Sequence, residues 1–336
     1  MNAASNQLIN ADRTVRFRET IGRFRQALGR RCRFRVRARR YYRTVWIADC
    51  YTDYTNPELF RRYEGPLVEG MALRAMGKGI VKAQVVAGAL AEAIERVSSF
   101  QLLSEGREVP LYELTPDAEL APASLKPADV AAINDSTKGL SAGNTVNECI
   151  LHGLLEMYEH LDVEQFIDRP GLAHRQFIDP TVTGFHPVVA DKMLAVAVPG
   201  AHSRVTTVHA VVCPKDLGPF VRTCAHLDGQ IALQRAFNET VQSHKTRHLD
   251  GLQTFVSEPD IWNLPNHLSD DLVEDIRLIL SEIPETVYVQ DWTDPVIQVP
   301  VFRPFTLRMA QPENAERTAA YVQSIMDDAT RYIDWE

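Results

Sequence analysis

The stretch Ser141–His160, SAGNTVNECILHGLLEMYEH, reads as an amphipathic helix whose polar face is acidic. With Glu148 at zero and about 100° of rotation per residue, Glu159 falls at about 20°, His152 at about 40° and Glu156 at about 80°. Ile150, Leu151, Leu154, Leu155, Met157 and Tyr158 fill the opposite arc. No Lys or Arg occurs from Gly139 to Asp168, so the carboxylates have no local counter-charge. Thr145-Val146-Asn147-Glu148 is a capping-box pattern, and Glu156 and Glu159 read equally well as solvated surface acids. The other reading is that a metal ion, or groups from another helix, bring the positive charge. This helix alone leaves the choice open.

A chain of 336 residues has room for one large or two moderate domains, and 45% hydrophobic with 24% charged residues is a globular balance. No apolar run approaches the ~20 residues of a membrane span, and the first residues lack the apolar core of a signal peptide. Cys32, Cys50, Cys149, Cys213 and Cys224 are scattered without C-x-x-C spacing, which points to reduced thiols and a cytoplasmic setting.

The net charge of −8 is unevenly spread. Arg13 to Arg43 holds thirteen arginines against one acid, Glu19, a balance of +12 that leaves −20 for the rest. Within it, RCRFRVRAR (Arg31–Arg39) alternates strictly: Arg31, Arg33, Arg35, Arg37 and Arg39 share one face of an expected strand. Cys32, Phe34, Val36 and Ala38 form the other. The arginines either pair with the acidic body or form a docking face for an acidic peptide or partner protein. Nucleic acid is disfavoured, because the remainder would repel phosphate.

Strands are expected at Thr44–Tyr51, Met193–Gly200, Thr206–Pro214 and Glu285–Gln290, and helices at Lys82–Leu102, Thr145–Leu161, Gly229–Ser243 and Asn314–Ile333. LTPDAELAPASLKPAD (Leu114–Asp129) reads as an irregular connection. Strands and helices without βαβ regularity indicate an α+β or mixed α/β fold. No Walker A or G-x-G-x-x-G sequence occurs, and GKG at Gly77–Gly79 is a weak signal by itself.

Two further helices carry comparable polar faces. Ala83–Phe100 holds Glu92 and Glu95, with Gly88 one turn earlier and Arg96 able to offset the acids in surface ion pairs. Gly229–Ser243 holds Arg235, Glu239 and Gln242, of which Arg235 and Glu239 form an i,i+4 pair in the less favourable order.

GKGIVKAQVVAGALAEAIER (77–96), STKGLSAGNTVNECILHGLLEMYEH (136–160) and ALQRAFNETVQS (232–243) resemble, in order, the three signature blocks of the YcaO-domain family. The resemblance implies a YcaO-like α+β fold with a non-Walker ATP site between helices and sheet, where glutamates hold Mg2+ against the triphosphate. It also implies phosphorylation of a peptide backbone amide oxygen, which activates the carbonyl carbon for a nucleophile. Carried over by position, Glu92, Glu95, Glu156 and Glu159 match metal-binding acids. Ser141, Asn144, Glu148, Arg235 and Glu239 match nucleotide contacts, with Gln242 a lesser candidate. Hard Mg2+ suits carboxylates and phosphate oxygens, so on this reading the missing positive charge is magnesium. Residues 1–45 then form an arginine-rich segment, part of the core or beside it, and residues 46–336 the catalytic domain.

The pattern departs at Gly88, where a serine is common, and at His160, where an arginine usually follows the last glutamate. The chain ends TRYIDWE rather than in the proline-rich terminus of many azoline-forming members, which weakens that product in particular. No fused E1-like or leader-binding domain is visible, so a separate leader-binding or TfuA-like partner is expected to deliver a precursor peptide. Cyclodehydration to azolines, thioamidation and amidine formation all remain open, as do a homodimer and a catalytically weak peptide-binding subunit. A metal-dependent hydrolase lacks the histidine-rich ligand spacing. His152 reads as a packed or surface histidine before a proton-transfer group.

Overall fold

In a computed structural model, the residues described are 14–41, 45–53, 72–126, 138–167, 176–178, 186–187, 193–199, 203–212, 220–246, 254–255, 264–310 and 323. The expected helix at Asn314–Ile333 lies outside them, apart from Gln323.

The chain enters through α1 (Phe17–Leu28), whose Phe17, Thr20, Phe24, Ala27 and Leu28 recur at helical spacing and are buried. Three antiparallel strands follow in the order β1 (Phe34–Tyr41), β2 (Val45–Asp53), β3 (Ala72–Gly79). Helix α2 (Lys82–Ser104) lies across this sheet. The contact is close: a Cβ on Gly77 would sit 1.9 Å from the Val85 carbonyl oxygen and 2.5 Å from the Ala89 nitrogen. Only glycine lets strand and helix backbones meet there. Phe24, Leu28, Ala48, Cys50, Leu90 and Ile94 fill the space between α1, sheet and α2.

A five-stranded sheet runs β5 (Leu120–Pro122), β4 (Leu111–Leu114), β13 (Val287–Asp291), β14 (Val301–Phe305), β6 (Ser141–Ala142). Helix α3 (Val146–Ile167) packs on β14, with α5 (Leu272–Leu280) beside it. Cys149, Ile150, Leu151, Leu154, Leu155, Met157 and Tyr158 of α3 are all buried. A four-stranded sheet, ordered β11 (Phe220–His226), β10 (Thr206–Val212), β9 (Met193–Pro199), β7 (Gln176–Ile178), carries α4 (Gly229–Thr246). A two-stranded pair joins β8 (His186–Pro187) to β12 (Thr254–Phe255). Among the described residues every strand pairing is antiparallel, which falls within the α+β or mixed α/β class expected.

Two expectations need correcting. The stretch from Leu114 is not wholly irregular: β4 and β5 form a hairpin, turned at Thr115–Glu119 with Ala118 at φ 64°. Pro122 is tolerated because β5 is an edge strand. The arginine strand starts later than its alternation suggests. The Arg31 and Cys32 amides donate back to the Leu28 carbonyl as α1 ends, and β1 begins at Phe34. Cys32, Cys50, Cys149 and Cys224 are free thiols, while Cys213 lies outside the described residues. Among the described residues no helix is long and apolar enough to cross a membrane.

Candidate nucleotide and metal site

Four glutamates from two helices are each held by a backbone amide of a different segment. From α2, Glu92 accepts from the Met76 amide of β3 at 2.8 Å, and Glu95 from the Ala142 amide of β6 at 2.8 Å. From α3, Glu156 accepts from the Gly139 amide, and Glu159 from the Ala225 amide of β11 at 3.0 Å. Sheet edges and turns thus fix side chains that the helices only aim.

Lys78 extends into this group from β3 and ion-pairs with Glu239 of α4. Strand alternation explains its direction: Ala75, Gly77 and Gly79 are buried while Lys78 is half-buried between them. Burial lowers the Lys78 pKa, against the raising influence of Glu92, Cys224, Glu159 and Glu156. Arg303 of β14 is 3% exposed, donates to the Lys138 carbonyl at 2.9 Å and is pushed down to about 10 by burial, with Glu156 opposing.

Burial is also the first cause of the raised carboxyl pKa values. Glu95 rises to about 8, Glu156 to about 7 and Glu159 to about 8. Repulsion adds to this, from Glu92 and Glu156 on Glu95, from Glu92 on Glu156, and from Glu156 on Glu159. All three side chains keep intermediate exposure, so they line a recess that protein surrounds without closing. Cys224 lies against Glu159, its thiol pushed well up by burial and by that carboxylate, while the nearby Arg235 charge opposes the rise.

Asn144 and Glu148 form a second network at the start of α3, and Ser141 is buried nearby in the chain on β6. Glu148, 1% exposed, accepts from the Thr14 amide and hydroxyl at 2.6 Å each, and from the Asn144 amide and side chain at 2.8 and 3.0 Å. Burial raises its pKa, but these donors outweigh it and the net shift is downward. The Glu148 amide donates to Thr145 Oγ1 at 3.2 Å, so half of the capping box forms. Its carboxylate reaches Asn144 instead of closing the box on the Thr145 amide. Asn144 also donates to Thr20 Oγ1 at 3.0 Å, and its buried Oδ1 has no hydrogen-bond partner among the described residues. Such an acceptor is costly unless a ligand donates to it.

The structure therefore joins Glu92, Glu156, Glu159 and Glu239 around Lys78, with Glu95 coupled to Glu92 and Glu156. Asn144 and Glu148 sit at the α3 N-terminus, Ser141 lies on β6, and Arg235 lies near Cys224. Gln242 and His152 are half-buried on α4 and α3; the His160 side chain is outside the described set. Gly88 faces β3, where a Cβ would meet only Gly77 Cα at 3.5 Å.

Lys78, Arg303, Thr14 and Thr20 were missed as site residues. The GKG sequence carried a signal for Lys78, but its value shows only where β3 meets α4. Lys78 and Arg303 answer part of the charge question, since some of the counter-charge is supplied by protein. Among the described residues, no three His, Cys, Asp or Glu side chains converge closely enough to hold a metal ion. With each of the four acids anchored to a backbone amide, the described residues form no all-protein cage. The donor set nevertheless fits Mg2+, which takes one or two carboxylates and completes its shell with phosphate oxygens and water.

A family model described as YcaO cyclodehydratase, ATP- and Mg2+-binding, matches residues 118–306. The fold is similar to that of YcaO from Methanopyrus kandleri bound with AMPPCP and Mg2+. The TM-score is 0.59 at 17% identity, over 89% of this chain and 93% of that one. It is also similar to a heterocyclase in complex with substrate and cofactor, at TM-score 0.59 and 16% identity, over 88% of this chain. The match spans only 52% of that heterocyclase. None of the curated proteins matches.

Proposed function

The chain belongs to the YcaO family, whose cofactors are ATP and Mg2+, and from that premise we propose that it activates a peptide backbone amide by phosphorylating its oxygen. The observation that carries the reading is the recess itself, where Glu92, Glu156, Glu159 and Glu239 from α2, α3 and α4 gather around Lys78 and Glu95 lies against Glu92 and Glu156. ATP would supply the phosphoryl group: as the amide oxygen takes the terminal phosphorus and the bond to ADP breaks, the amide nitrogen gives up its proton to solvent and the amide becomes an O-phosphorylated imidate. A nucleophile then adds to the imidate carbon, and phosphate leaves with the former amide oxygen.

Mg2+, held by Glu92, Glu95, Glu156 and Glu159, would neutralise phosphate charge. Arg235 and Lys78 add fixed positive charge on the side of α4. Ser141, Asn144 and Glu148 orient the nucleotide, with Asn144 Oδ1 free to accept from it. The recess holds no obvious nucleophile of its own, because the Cys224 thiol is kept protonated by burial and by Glu159. This supports a nucleophile that arrives with the peptide or a partner: a Cys, Ser or Thr side chain for an azoline, sulfide for a thioamide, an amine for an amidine. A precursor peptide is the proposed substrate, delivered by a separate leader-binding or TfuA-like protein.

The experiment is ATP hydrolysis measured with and without candidate precursor peptides, followed by mass spectrometry of the peptide. Peptide-dependent ADP release with loss of one water identifies an azoline, and exchange of oxygen for sulfur a thioamide. ATP consumption indifferent to every peptide would overturn the proposal.

A further inference from the structure

The arginines of the N-terminal segment fall into two groups. Arg31 ion-pairs with Asp294 at 2.8 Å, Arg30 donates to Gln298 at 3.2 Å, Arg23 reaches the Asn144 carbonyl at 3.4 Å, and Arg25 lies over Phe34. These tie α1 and its end to the body. Arg33, Arg35, Arg37 and Arg39 are different. All four are exposed, and among the described residues none of their side chains makes a hydrogen bond or ion pair. Between them Phe34, Val36 and Ala38 pack against the core.

The position of these four in the fold gives them a direction. Strand β1 is an edge: it pairs with β2 on one side and, among the described residues, with nothing on the other. Register partners in a sheet share a face, so Arg35 lies in a row with Tyr51 and Arg74, Arg37 with Asp49 and Met76, and Arg39 with Ile47 and Lys78. Asp49, the acid beside Arg37, is already held by Arg74 through Nε at 2.9 Å and Nη2 at 2.8 Å. The last row ends in the lysine that enters the recess. With strands about 4.8 Å apart, the Arg39 and Lys78 backbones are separated by about 10 Å.

We propose that the outer edge of β1 receives an extended acidic peptide as an added strand, with carboxylates at alternate positions facing Arg33, Arg35, Arg37 and Arg39. Main-chain pairing satisfies the edge that the described residues leave unpaired, and side chains two residues apart repeat at about 6.8 Å on both strands, so charges match in register. Each arginine can form a charge-assisted pair with one carboxylate. The +12 segment attracts such a peptide, whereas the −20 carried by the rest opposes long polyanions such as nucleic acid. Resting on the amide-activation reading, the docked segment would belong to the precursor peptide and hold it on the face that leads to Lys78.

The test uses the full chain without nucleotide and a fluorescein-labelled ten-residue peptide of alternating Glu and Thr. A control has the same composition, with its glutamates in one block and its threonines in the other. Anisotropy is expected to show the alternating peptide binding about tenfold more tightly than the block control. The affinity should fall as salt shortens the Debye length from about 10 Å at 0.1 M to about 3 Å at 1 M. Changing Arg33, Arg35 and Arg37 together to Gln should weaken it by a further factor of about ten, leaving Mg2+–AMPPCP affinity unchanged. Equal binding of the two peptides, tighter binding of a single-stranded oligonucleotide of equal charge, or loss of the fold in the triple variant would each overturn the proposal. Because no nucleotide is present, failure here leaves amide activation standing. Conversely, a lack of peptide-dependent ATP turnover leaves the docking edge standing.

Discussion

Lys78 on β3 and Glu239 on α4 form an ion pair across the recess, and that pair places a single ammonium among carboxylates from three helices. The side chains are 28% and 30% exposed, so the pair is neither a surface decoration nor sealed in the core. Changing Lys78 to Met should cost about 1–3 kcal/mol of stability, short of the ~3–5 kcal/mol for breaking a fully buried pair. Urea melts of Lys78→Met, Glu239→Gln and the double variant check this, with the double losing less than the sum.

The crowded acids make the metal-free protein sensitive to alkali. Burial pushes the Glu95, Glu156 and Glu159 carboxyls up to about 8, 7 and 8 in the fold from an ordinary 4.5. Between those values the folded chain binds more protons than the unfolded one, so stability falls as pH rises through the window. Lys78, lowered by burial, acts in the opposite sense between its folded value and 10.5. In EDTA the melting temperature is expected to be higher at pH 6 than at pH 8, and the slope steeper in Lys78→Met. Adding Mg2+ with AMPPCP should flatten it.

Glu159→Gln keeps an acceptor for the Ala225 amide and removes a charge that burial disfavours. The variant should therefore melt no lower than the parent at pH 8. Its peptide-dependent ATP turnover should nevertheless drop by about tenfold or more if the carboxylate holds magnesium. Unchanged turnover would remove Glu159 from the metal site.

The anchored geometry also predicts how magnesium binds. No three acidic, histidine or cysteine side chains converge among the described residues, so the ion needs phosphate oxygens to complete its shell. Calorimetry should find Mg2+ alone binding at least about tenfold more weakly than Mg2+ in the presence of AMPPCP. Equal affinity would show a preformed protein cage.

Two glycines should respond oppositely to a methyl group. Gly88→Ala has room against Gly77, the nearest atom being 3.5 Å away, and should gain about 0.5–1 kcal/mol from helix propensity. Gly77→Ala would drive a Cβ into the α2 backbone at 1.9 Å and should lower the melting temperature sharply. Thermal melts of the two variants provide the comparison.

Local periodicity made α2, α3 and α4 legible, along with the acids on their polar faces, because each repeat lies within one element. It made the exposed face of β1 legible for the same reason. Helices α1 and α5 and strands β3, β6, β7, β8, β11, β12 and β14 were among the elements missed. In β3 the alternation sets Arg74, Met76 and Lys78 against alanine and glycine rather than large apolar residues, and in β14 all five residues are buried, so neither shows the usual apolar–polar pattern.

The sequence alone determined which side chains could form an acidic cluster, since helical spacing assigns a residue to a face, and its signature blocks mark the family. It could not assign that face a neighbour. Glu92 and Glu95 precede the family-matched stretch 118–306, and they join the site because Gly77 brings β3 onto α2 and the β6 amide holds Glu95. Lys78 and Arg303 enter the recess only through contacts between strands and helices far apart in the chain. Tertiary structure likewise separated Arg31, tied to Asp294, from Arg33 to Arg39, which stay exposed. The physical reason is that a local pattern specifies which way a side chain points, while packing and backbone hydrogen bonds decide what it meets.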